Sequence, residues 1–203
     1  MMKLTLCVPL IWMLFSSAEA LKCVQGIHMT NEATSKDPEP CNSPNVQCAT
    51  VAHQDLTNTG FKLYSIVRTC ASSSLCNESD SVFSLGYDNV RTTASLQCCS
   101  TDGCNNKPLT YPDEPIPNGL QCVTCSLSAP SCNQTQQCAG VQDRCIAANM
   151  TDSAGTYPVY GCASANLCEG DIDLKLKLLF SQFVHYDEVK FTANDCCNTS
   201  LCN

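Results

Sequence analysis

Two similar cysteine-rich endings occur in this chain, CCSTDGCN at residues 98–105 and CCNTSLCN at residues 196–203. Each has two adjacent cysteines, a short polar run and a Cys-Asn pair, which indicates an internal repeat. The chain has 19 cysteines among 203 residues, far more than ordinary usage. The repeat therefore predicts a disulfide-linked fold that forms in an oxidising compartment.

The first 20 residues have the pattern of a secretory signal peptide. Lys3 precedes the apolar run 4–15, and small residues precede the expected cleavage site after residue 20. Cleavage removes Cys7 and leaves 18 cysteines, an even number that can pair completely. The apolar run is too short to span a bilayer, and no apolar tail for a glycolipid anchor follows Asn203. We therefore expect a secreted, extracellular protein with no transmembrane segment or glycolipid anchor.

The cysteines of the two halves fall into register when the first half is taken to lack two of them. They are Cys23, Cys41, Cys48, Cys70, Cys76, Cys98, Cys99 and Cys104 in the first half, and Cys122, Cys125, Cys132, Cys138, Cys145, Cys162, Cys168, Cys196, Cys197 and Cys202 in the second. The segment CASSSLC at 70–76 matches CASANLC at 162–168. We therefore predict two copies of one domain, at residues 21–105 with eight cysteines and at 120–203 with ten.

A proline-rich segment, NKPLTYPDEPIPNG at residues 106–119, lies between the two copies. Its four prolines fix their own dihedrals and push their neighbours toward extended conformations, which predicts a short and fairly stiff linker. Each copy has about 85 residues, a size at which disulfides commonly supplement a small apolar core. The cysteines are therefore interpreted mainly as architecture.

The segment LQCVTC at 120–125, the CC-to-CN endings and the ten-cysteine spacing of the second copy resemble the Ly-6/uPAR family of three-finger domains. The resemblance covers nearly all of the chain after the signal peptide. It implies an all-β fold of two tandem disulfide-rich, snake-toxin-like three-finger domains. It also implies that Asn105 and Asn203 hydrogen-bond the backbone near the hub of each domain.

The same resemblance implies a disulfide pairing for both domains. In the first, Cys23 pairs with Cys48, Cys41 with Cys70, Cys76 with Cys98, and Cys99 with Cys104. In the second, Cys122 pairs with Cys145, Cys125 with Cys132, Cys138 with Cys162, Cys168 with Cys196, and Cys197 with Cys202.

The first domain departs from the family pattern, because Gly26 stands where a second cysteine is expected. Its first finger therefore lacks a disulfide, and we expect the polar stretch from Val24 to Pro40 to be mobile, with a loop shaped for a partner as the alternative. A disulfide restored at Gly26 is expected to stabilise this domain by up to about 2–3 kcal/mol.

Two β-hairpins are predicted from strand-forming runs that flank turn residues. CATVAHQ and FKLYSIVRTC flank DLTNTG in the first domain, and CIAANM and TYPVYGC flank TDSAG in the second. The segment IDLKLKLL at 172–179 alternates like an exposed or edge strand, while LLFSQFV just after it also permits a helical turn. We leave the structure of that segment open.

No catalytic or metal site is predicted. CVTC at 122–125 resembles half of a zinc site, but a second CxxC or a histidine pair at metal spacing is missing. CCSTDGC resembles the helix of secreted phospholipase A2, yet Asp102 stands in place of the histidine and the spacing is one residue short. We therefore expect no enzyme activity and no cofactor.

Other titratable residues are interpreted as surface or strand positions rather than as catalytic groups. His28, His53 and His185 accompany no recognisable nucleophile motif. The adjacent acidic pairs at 113–114 and 187–188 point apart on an extended chain, so solvated surface charge is the preferred interpretation.

The net charge of −8 argues against nucleic acid or an anionic membrane as partner, because both require a basic face. A basic protein partner is compatible with it. Four N-x-S/T sequons are predicted sites of glycosylation, at Asn77, Asn133, Asn149 and Asn198. Asn198 is the doubtful one, since it lies in the tight loop between Cys197 and Cys202.

Function is expected to come from protein recognition by the fingers. The linker pattern PxxPxPNGxxC and CAGVQDRC at 138–145 look most like gamma-type phospholipase A2 inhibitors, which are secreted two-domain proteins. This resemblance predicts a non-enzymatic, inhibitor-like binder of an extracellular protein, with a secreted phospholipase A2 as one candidate partner. Two alternatives remain open, a urokinase-receptor-like ligand-binding protein and a sodefrin-precursor-like signalling or pheromone protein.

Overall fold

The structure, a computed structural model, describes residues 19–29, 32–126, 129–180 and 189–203. Several predictions concern residues outside these ranges. The predicted signal peptide lies there except for its last two residues, and so do His185, Asp187 and Glu188.

Strands account for most of the regular structure in the described ranges. Their bounds are β1 Lys22–Cys23, β2 Gly26–His28, β3 Glu39–Pro40, β4 Val46–Thr57, β5 Lys62–Ser72, β6 Val82–Tyr87, β7 Val90–Cys99, β8 Pro117–Ser126, β9 Ala129–Ala139, β10 Arg144–Asp152, β11 Gly155–Ala163 and β12 Lys190–Cys197. The helices are α1 Ser73–Cys76 and α2 Ile172–Phe180, with single 3-10 turns at Cys104–Asn106 and Ala165–Leu167. The predicted all-β class is confirmed.

The two predicted hairpins are confirmed. β4 pairs antiparallel with β5 from Val46↔Ser72 to Leu56↔Lys62, and β10 pairs with β11 from Arg144↔Ala163 to Asp152↔Gly155. In both cases β-branched and aromatic residues flank a short polar turn that contains glycine, which favours hairpin closure. These hairpins form the second finger of each half.

One antiparallel sheet of eight strands runs through both halves, in the order β12-β10-β11-β6-β7-β4-β5-β2. The halves meet where β6 pairs with β11, at Leu85↔Ala163 and Gly86↔Cys162. β1 with β3 and β8 with β9 form two small additional sheets. The tandem copies are therefore joined edge to edge and not only through the linker.

The largest cluster of buried apolar residues draws on both halves. Phe83 and Leu96 of the first half belong to the same cluster as Ile146 and Phe191 of the second. The helix α2 packs against it through Leu176, which is fully buried. Each half therefore completes the core of the other.

The segment left open between strand and helix is the helix α2. Asp171 caps its start, because its Oδ1 accepts a hydrogen bond from the backbone N–H of Leu174 at 3.1 Å. Asp173 and Lys177 form an i,i+4 ion pair at 2.8 Å. Local capping and the apolar surface of the sheet outweigh the two-residue alternation that suggested a strand.

Polar groups also fasten the halves together. Lys175 of α2 is buried and forms an ion pair with Glu78 at 2.5 Å. The fully buried Gln142 donates to Ser84 Oγ at 3.0 Å and accepts from Arg91 Nε at 3.3 Å. Since buried polar groups are stable only when they are hydrogen-bonded, these contacts fix how the halves meet.

The predicted linker lies against the sheet over part of its length. Tyr111 packs on Tyr64 of β5 with ring centroids 5.0 Å apart, and Glu114 pairs with Lys62 at 2.6 Å. Further along, the carbonyl of Ile116 accepts from the N–H of Gly140 at 2.8 Å. The linker therefore contacts both halves at separate points.

Candidate binding surface

The disulfides form the hub of each half. The structure brings the cysteines together in nine bonds, Cys23–Cys48, Cys41–Cys70, Cys76–Cys98, Cys99–Cys104, Cys122–Cys145, Cys125–Cys132, Cys138–Cys162, Cys168–Cys196 and Cys197–Cys202. These are the pairs that the family resemblance implies.

The two asparagines that follow the last cysteine of each half hold the backbone of the hub. Asn105 accepts from the N–H of Val24 and donates to the carbonyls of Val24 and Ala49, at 2.9 to 3.1 Å. Asn203 makes the corresponding bonds to Val123 and to the carbonyl of Ile146, at 2.8 to 3.0 Å. The predicted role of both asparagines is confirmed.

Metal ligation has little support in the described ranges. The close groups of three potential ligands found there consist of cysteines only, Cys23, Cys41 and Cys70 in one half and Cys122, Cys138 and Cys162 in the other. Every sulfur in them belongs to a disulfide, so none is a thiolate that could bind a metal ion.

The structure places the candidate titratable residues in separate environments. His53 lies on β4, which confirms the predicted strand position, and its side chain is fully buried. Burial lowers the pKa of His53 to about 4. Asp102 accepts from the backbone N–H of Lys22 at 2.9 Å, which is a structural role. Glu114 pairs with Lys62, whereas Asp113 is exposed to solvent.

The sequons differ in accessibility. Asn77, Asn133 and Asn198 are exposed, whereas Asn149 is half-buried on β10. Asn198 is accessible to solvent even though the bond between Cys197 and Cys202 closes its loop. Occupancy of all four sites stays a prediction.

The first finger of the first half forms an edge strand of the main sheet. β2 pairs with β5 at Gly26↔Arg68, Ile27↔Val67 and His28↔Ile66. Gly26 adopts φ +147°, a region that residues with a side chain rarely occupy, and the imidazole of His28 lies 3.5 Å from the place a Cβ would take. The structure therefore argues against the expected gain from a disulfide at Gly26, because a cysteine there is strained.

A groove of about 380 Å³ opens where the sheet, the linker and the second half meet. Its walls are mostly apolar, and they comprise Val82, Ser84 and Thr93 from the sheet, the linker from Pro112 to Ile116, and Gly140 and Val141 from the second half. Ile116 is 79% exposed and Val141 is 47% exposed. Two large apolar side chains at the mouth of one groove favour recognition of another molecule.

The linker shapes this groove through contacts at both ends. Glu114 is held by Lys62, while the side-chain amide of Asn118 donates to the carbonyls of Gly140 and Gln142 at 3.2 and 2.9 Å. A Cβ at Gly140 would lie 2.8 Å from Pro115 Cβ, so only glycine allows the linker to pass so closely. Specific contacts of the linker with both halves therefore define the shape of the groove.

The rim of the groove is acidic. Asp113 has no ion-pair partner in the part of the chain that the structure describes, whereas the neighbouring Glu114 forms an ion pair with Lys62. The sequence pattern favoured unrelated surface charges for Asp113 and Glu114, and it did not single out Ile116 or Val141. An isoleucine between two prolines in an otherwise polar stretch was the available signal.

The fold and the hub define a class of protein, the tandem disulfide-rich three-finger proteins. The model of the u-PAR/Ly-6 domain matches residues 19–107 and 118–203. The chain therefore belongs to the u-PAR/Ly-6 domain family. In the described ranges, no helix combines the length and apolar character that crossing a membrane requires.

Curated relatives carry two kinds of name. The chain is 28% identical over 137 residues to the urokinase plasminogen activator surface receptor of Mus musculus, which covers 64% of this chain and 40% of the receptor. It is 30% identical over 129 residues to a phospholipase A2 inhibitor gamma subunit of Elaphe climacophora, covering 60% of this chain and 62% of the inhibitor. The chain thus spans less than two thirds of these relatives.

A third relative and one solved structure extend the comparison. The phospholipase A2 inhibitor 31 kDa subunit of Naja kaouthia is 27% identical over 145 residues, covering 68% of this chain and 76% of the inhibitor subunit. The crystal structure of mouse TEX101 aligns over 88% of this chain and 97% of its own, with 17% identity and a TM-score of 0.32. A global similarity this low supports no argument about function.

Proposed function

We propose that this chain is a secreted, non-enzymatic protein-binding module that acts as an inhibitor-like binder of an extracellular enzyme, with a secreted phospholipase A2 as the first candidate partner. The observation that carries the proposal is the groove at the junction of the two halves, with exposed Ile116 and Val141 at its mouth. Relatives named as phospholipase A2 inhibitors support the choice of the first candidate.

The chemistry of the groove favours a partner that offers an apolar side chain next to a cationic group. The apolar walls can bury an apolar side chain of the partner. Burial of apolar surface contributes about 25 cal/mol per Å² to the free energy of binding. Asp113 at the rim and the net charge of −8 favour the approach of a cationic group by electrostatic steering. An enzyme with an apolar, basic surface patch fits both requirements.

Binding to a panel of purified secreted phospholipases A2, measured by biolayer interferometry, tests the proposal. Ile116→Lys and Val141→Lys place a cation in the apolar mouth and are expected to weaken binding at least about tenfold. Leu201→Lys is the matched control, because Leu201 is equally an exposed apolar residue but lies outside the groove. An unchanged affinity in both groove variants would show that binding uses another surface.

The alternative is a ligand-binding protein similar to the urokinase receptors, which the relatives of that name favour. The two functions are distinguished by adding serine proteases of the plasminogen activator class to the panel of candidate partners. The same variants then test whether the groove binds them. Binding to a protease with no phospholipase captured would support the alternative. Binding to neither class would argue against both functions.

A further inference from the structure

Arg68 is a buried cation without an acidic partner in the described part of the chain. Its side chain is 1% exposed. Nε donates to the carbonyl of Asn105 at 2.9 Å, and Nη2 donates to the carbonyl of Glu32 at 3.0 Å. Nη1 is buried and finds no hydrogen-bond partner there. Since a buried charge is costly unless it is compensated, the surroundings of Arg68 call for a negative group.

Two more buried polar atoms lie near Arg68 and have no hydrogen-bond partner in the same described ranges, Nε2 of His28 and the hydroxyl of Tyr111. His28 pairs with Ile66, two residues before Arg68 on β5, so the two side chains share one face of the sheet. Tyr111 comes from the linker and packs on Tyr64, which shares that face as well. A first finger, a sheet strand and the linker thus each supply one polar group.

The charged groups that act on His28 are cationic. Burial lowers the pKa of His28, and the nearby charges of Arg68 and Lys36 lower it further. Burial raises the pKa of Tyr111 against a smaller opposing effect of the Arg68 charge, so its hydroxyl stays protonated and can donate. The guanidinium, the hydroxyl and the Nε2–H tautomer of a neutral imidazole are all hydrogen-bond donors.

We propose that a small monovalent anion binds between Arg68 Nη1, Tyr111 Oη and His28 Nε2, and that it ties the first finger and the linker to the sheet. The anion is a halide or the carboxylate of a small solute. Gln54 Oε1, also buried and without a partner among the described residues, is an acceptor and therefore lies outside the donor set. Because Tyr111 directly precedes the groove-lining segment, an occupied site also fixes the linker wall of the groove.

The test measures the melting temperature of the full chain after the predicted signal peptide, at constant ionic strength. Sodium isethionate, whose anion is bulky, is replaced stepwise by sodium chloride in one arm and by sodium acetate in the other. We expect a saturable rise in the melting temperature in at least one arm. A rise with chloride alone identifies a halide site, and a rise with acetate alone identifies a carboxylate site.

Tyr111→Phe removes one donor and keeps the ring that packs on Tyr64. We expect the apparent anion affinity to fall about tenfold, as for the loss of one hydrogen bond to an ion. Tyr157→Phe is the matched control, because Tyr157 is exposed on β11. Arg68→Gln should abolish the anion dependence where the variant folds.

A melting temperature that does not change in either arm would mean that water serves these donors, and the proposal would be wrong. An anion effect that is the same in wild type and in Tyr111→Phe would also overturn it. Neither result depends on a protein partner, so the outcome is independent of the proposed binding function.

Discussion

Gly161 of β11 lies so close to the first half that it cannot carry a side chain. A Cβ built there would be 1.9 Å from the carbonyl oxygen of Gly86. The neighbouring pairs Gly86↔Cys162 and Leu85↔Ala163 join the halves. Next to them, the N–H of Ser84 donates to Ser164 Oγ and the N–H of Ser164 donates to the carbonyl of Ser84. One glycine therefore permits the two halves to share a sheet.

We expect Gly161→Ala to lower the free energy of unfolding by about 3 kcal/mol, because the clash is with backbone and cannot be relieved by a side-chain rotation. Chemical denaturation followed by circular dichroism measures it. Gly60→Ala is the control, since Gly60 has a positive φ of +82° and open space around it, so this variant reports backbone strain without a clash. Equal losses in the two variants would contradict the role given to Gly161.

His53 gives the fold a pH dependence that can be isolated. Its pKa is lowered from 6.5 to about 4 by burial, so the folded state favours the neutral ring. The stability contributed by the neutral ring is complete above pH 6.5 and is lost as the pH falls toward 4, by about 3 kcal/mol in all.

The measurement compares unfolding free energies of the wild type and His53→Gln between pH 7 and pH 4. Carboxylates titrate in both proteins, so the difference between the two curves belongs to the histidine. We expect this difference to shrink as the pH falls. Parallel curves would show that His53 does not titrate differently in the folded and unfolded states.

The first fingers of the two halves are held in place by different interactions. In the second half Cys125 and Cys132 link β8 and β9. In the first half β2 has only three residue pairs to β5. Lys36 adds an exposed ion pair to Glu39 at 3.2 Å, and exposed pairs contribute little.

We therefore expect backbone amides from Val24 to Pro40 to exchange with deuterium faster than those from Val123 to Gln137. Hydrogen exchange with mass spectrometry measures both segments in one experiment. Asn105 protects Val24 itself, so the fastest exchange should lie beyond Gly26. Equal protection of the two segments would mean that the sheet edge and Arg68 replace the missing disulfide in full.

The sequence predicted the elements whose local pattern is unambiguous. The hairpins of both second fingers are as predicted, because turn residues specify them locally. The contacts of Asn105 and Asn203 are also as expected, but they join distant parts of the chain, and it was the family resemblance that implied them. The sequence does not decide between strand and helix at 172–179, because the alternation of its side chains favours a strand whereas Asp171 caps a helix there. The groove forms from residues that are far apart in the sequence, so no local sequence pattern predicts it.

The union of the two halves was the feature that the sequence did not reveal. Tandem copies with a proline-rich linker predict two bodies connected by a spacer, whereas Phe83 and Ile146 share one core. The burial of Lys175 against Glu78 and the contact of Gln142 with Ser84 belong to the same junction. Such contacts arise from tertiary packing, which local sequence patterns do not predict.

Because the core is shared, the first half alone should be incomplete. We expect residues 21–105, produced without the second half, to expose the apolar face around Phe83 and Leu96. Enhanced fluorescence of a hydrophobic dye and self-association in ultracentrifugation, relative to the intact chain, are the expected readouts. A monomeric first half with no dye binding would show that its core is sufficient by itself.

The nine disulfides are testable as a set. Peptide mapping without reduction should recover the nine linked pairs and no free thiol in the chain after removal of the predicted signal peptide. Adjacent cysteines at 98–99 and 196–197 require cleavage between them, for which partial acid hydrolysis is suitable. A reproducible free thiol in folded protein would refute the pairing.

The joint between β6 and β11 also sets an order for biosynthesis. Translation produces β6 about 70 residues before β11, and until β11 arrives the edge of β6 has no partner strand. An unpaired strand edge beside exposed apolar side chains is prone to pair with another chain. The nascent protein is therefore most vulnerable to misassembly while residues 88–154 are being made, and the completion of β11 ends that interval.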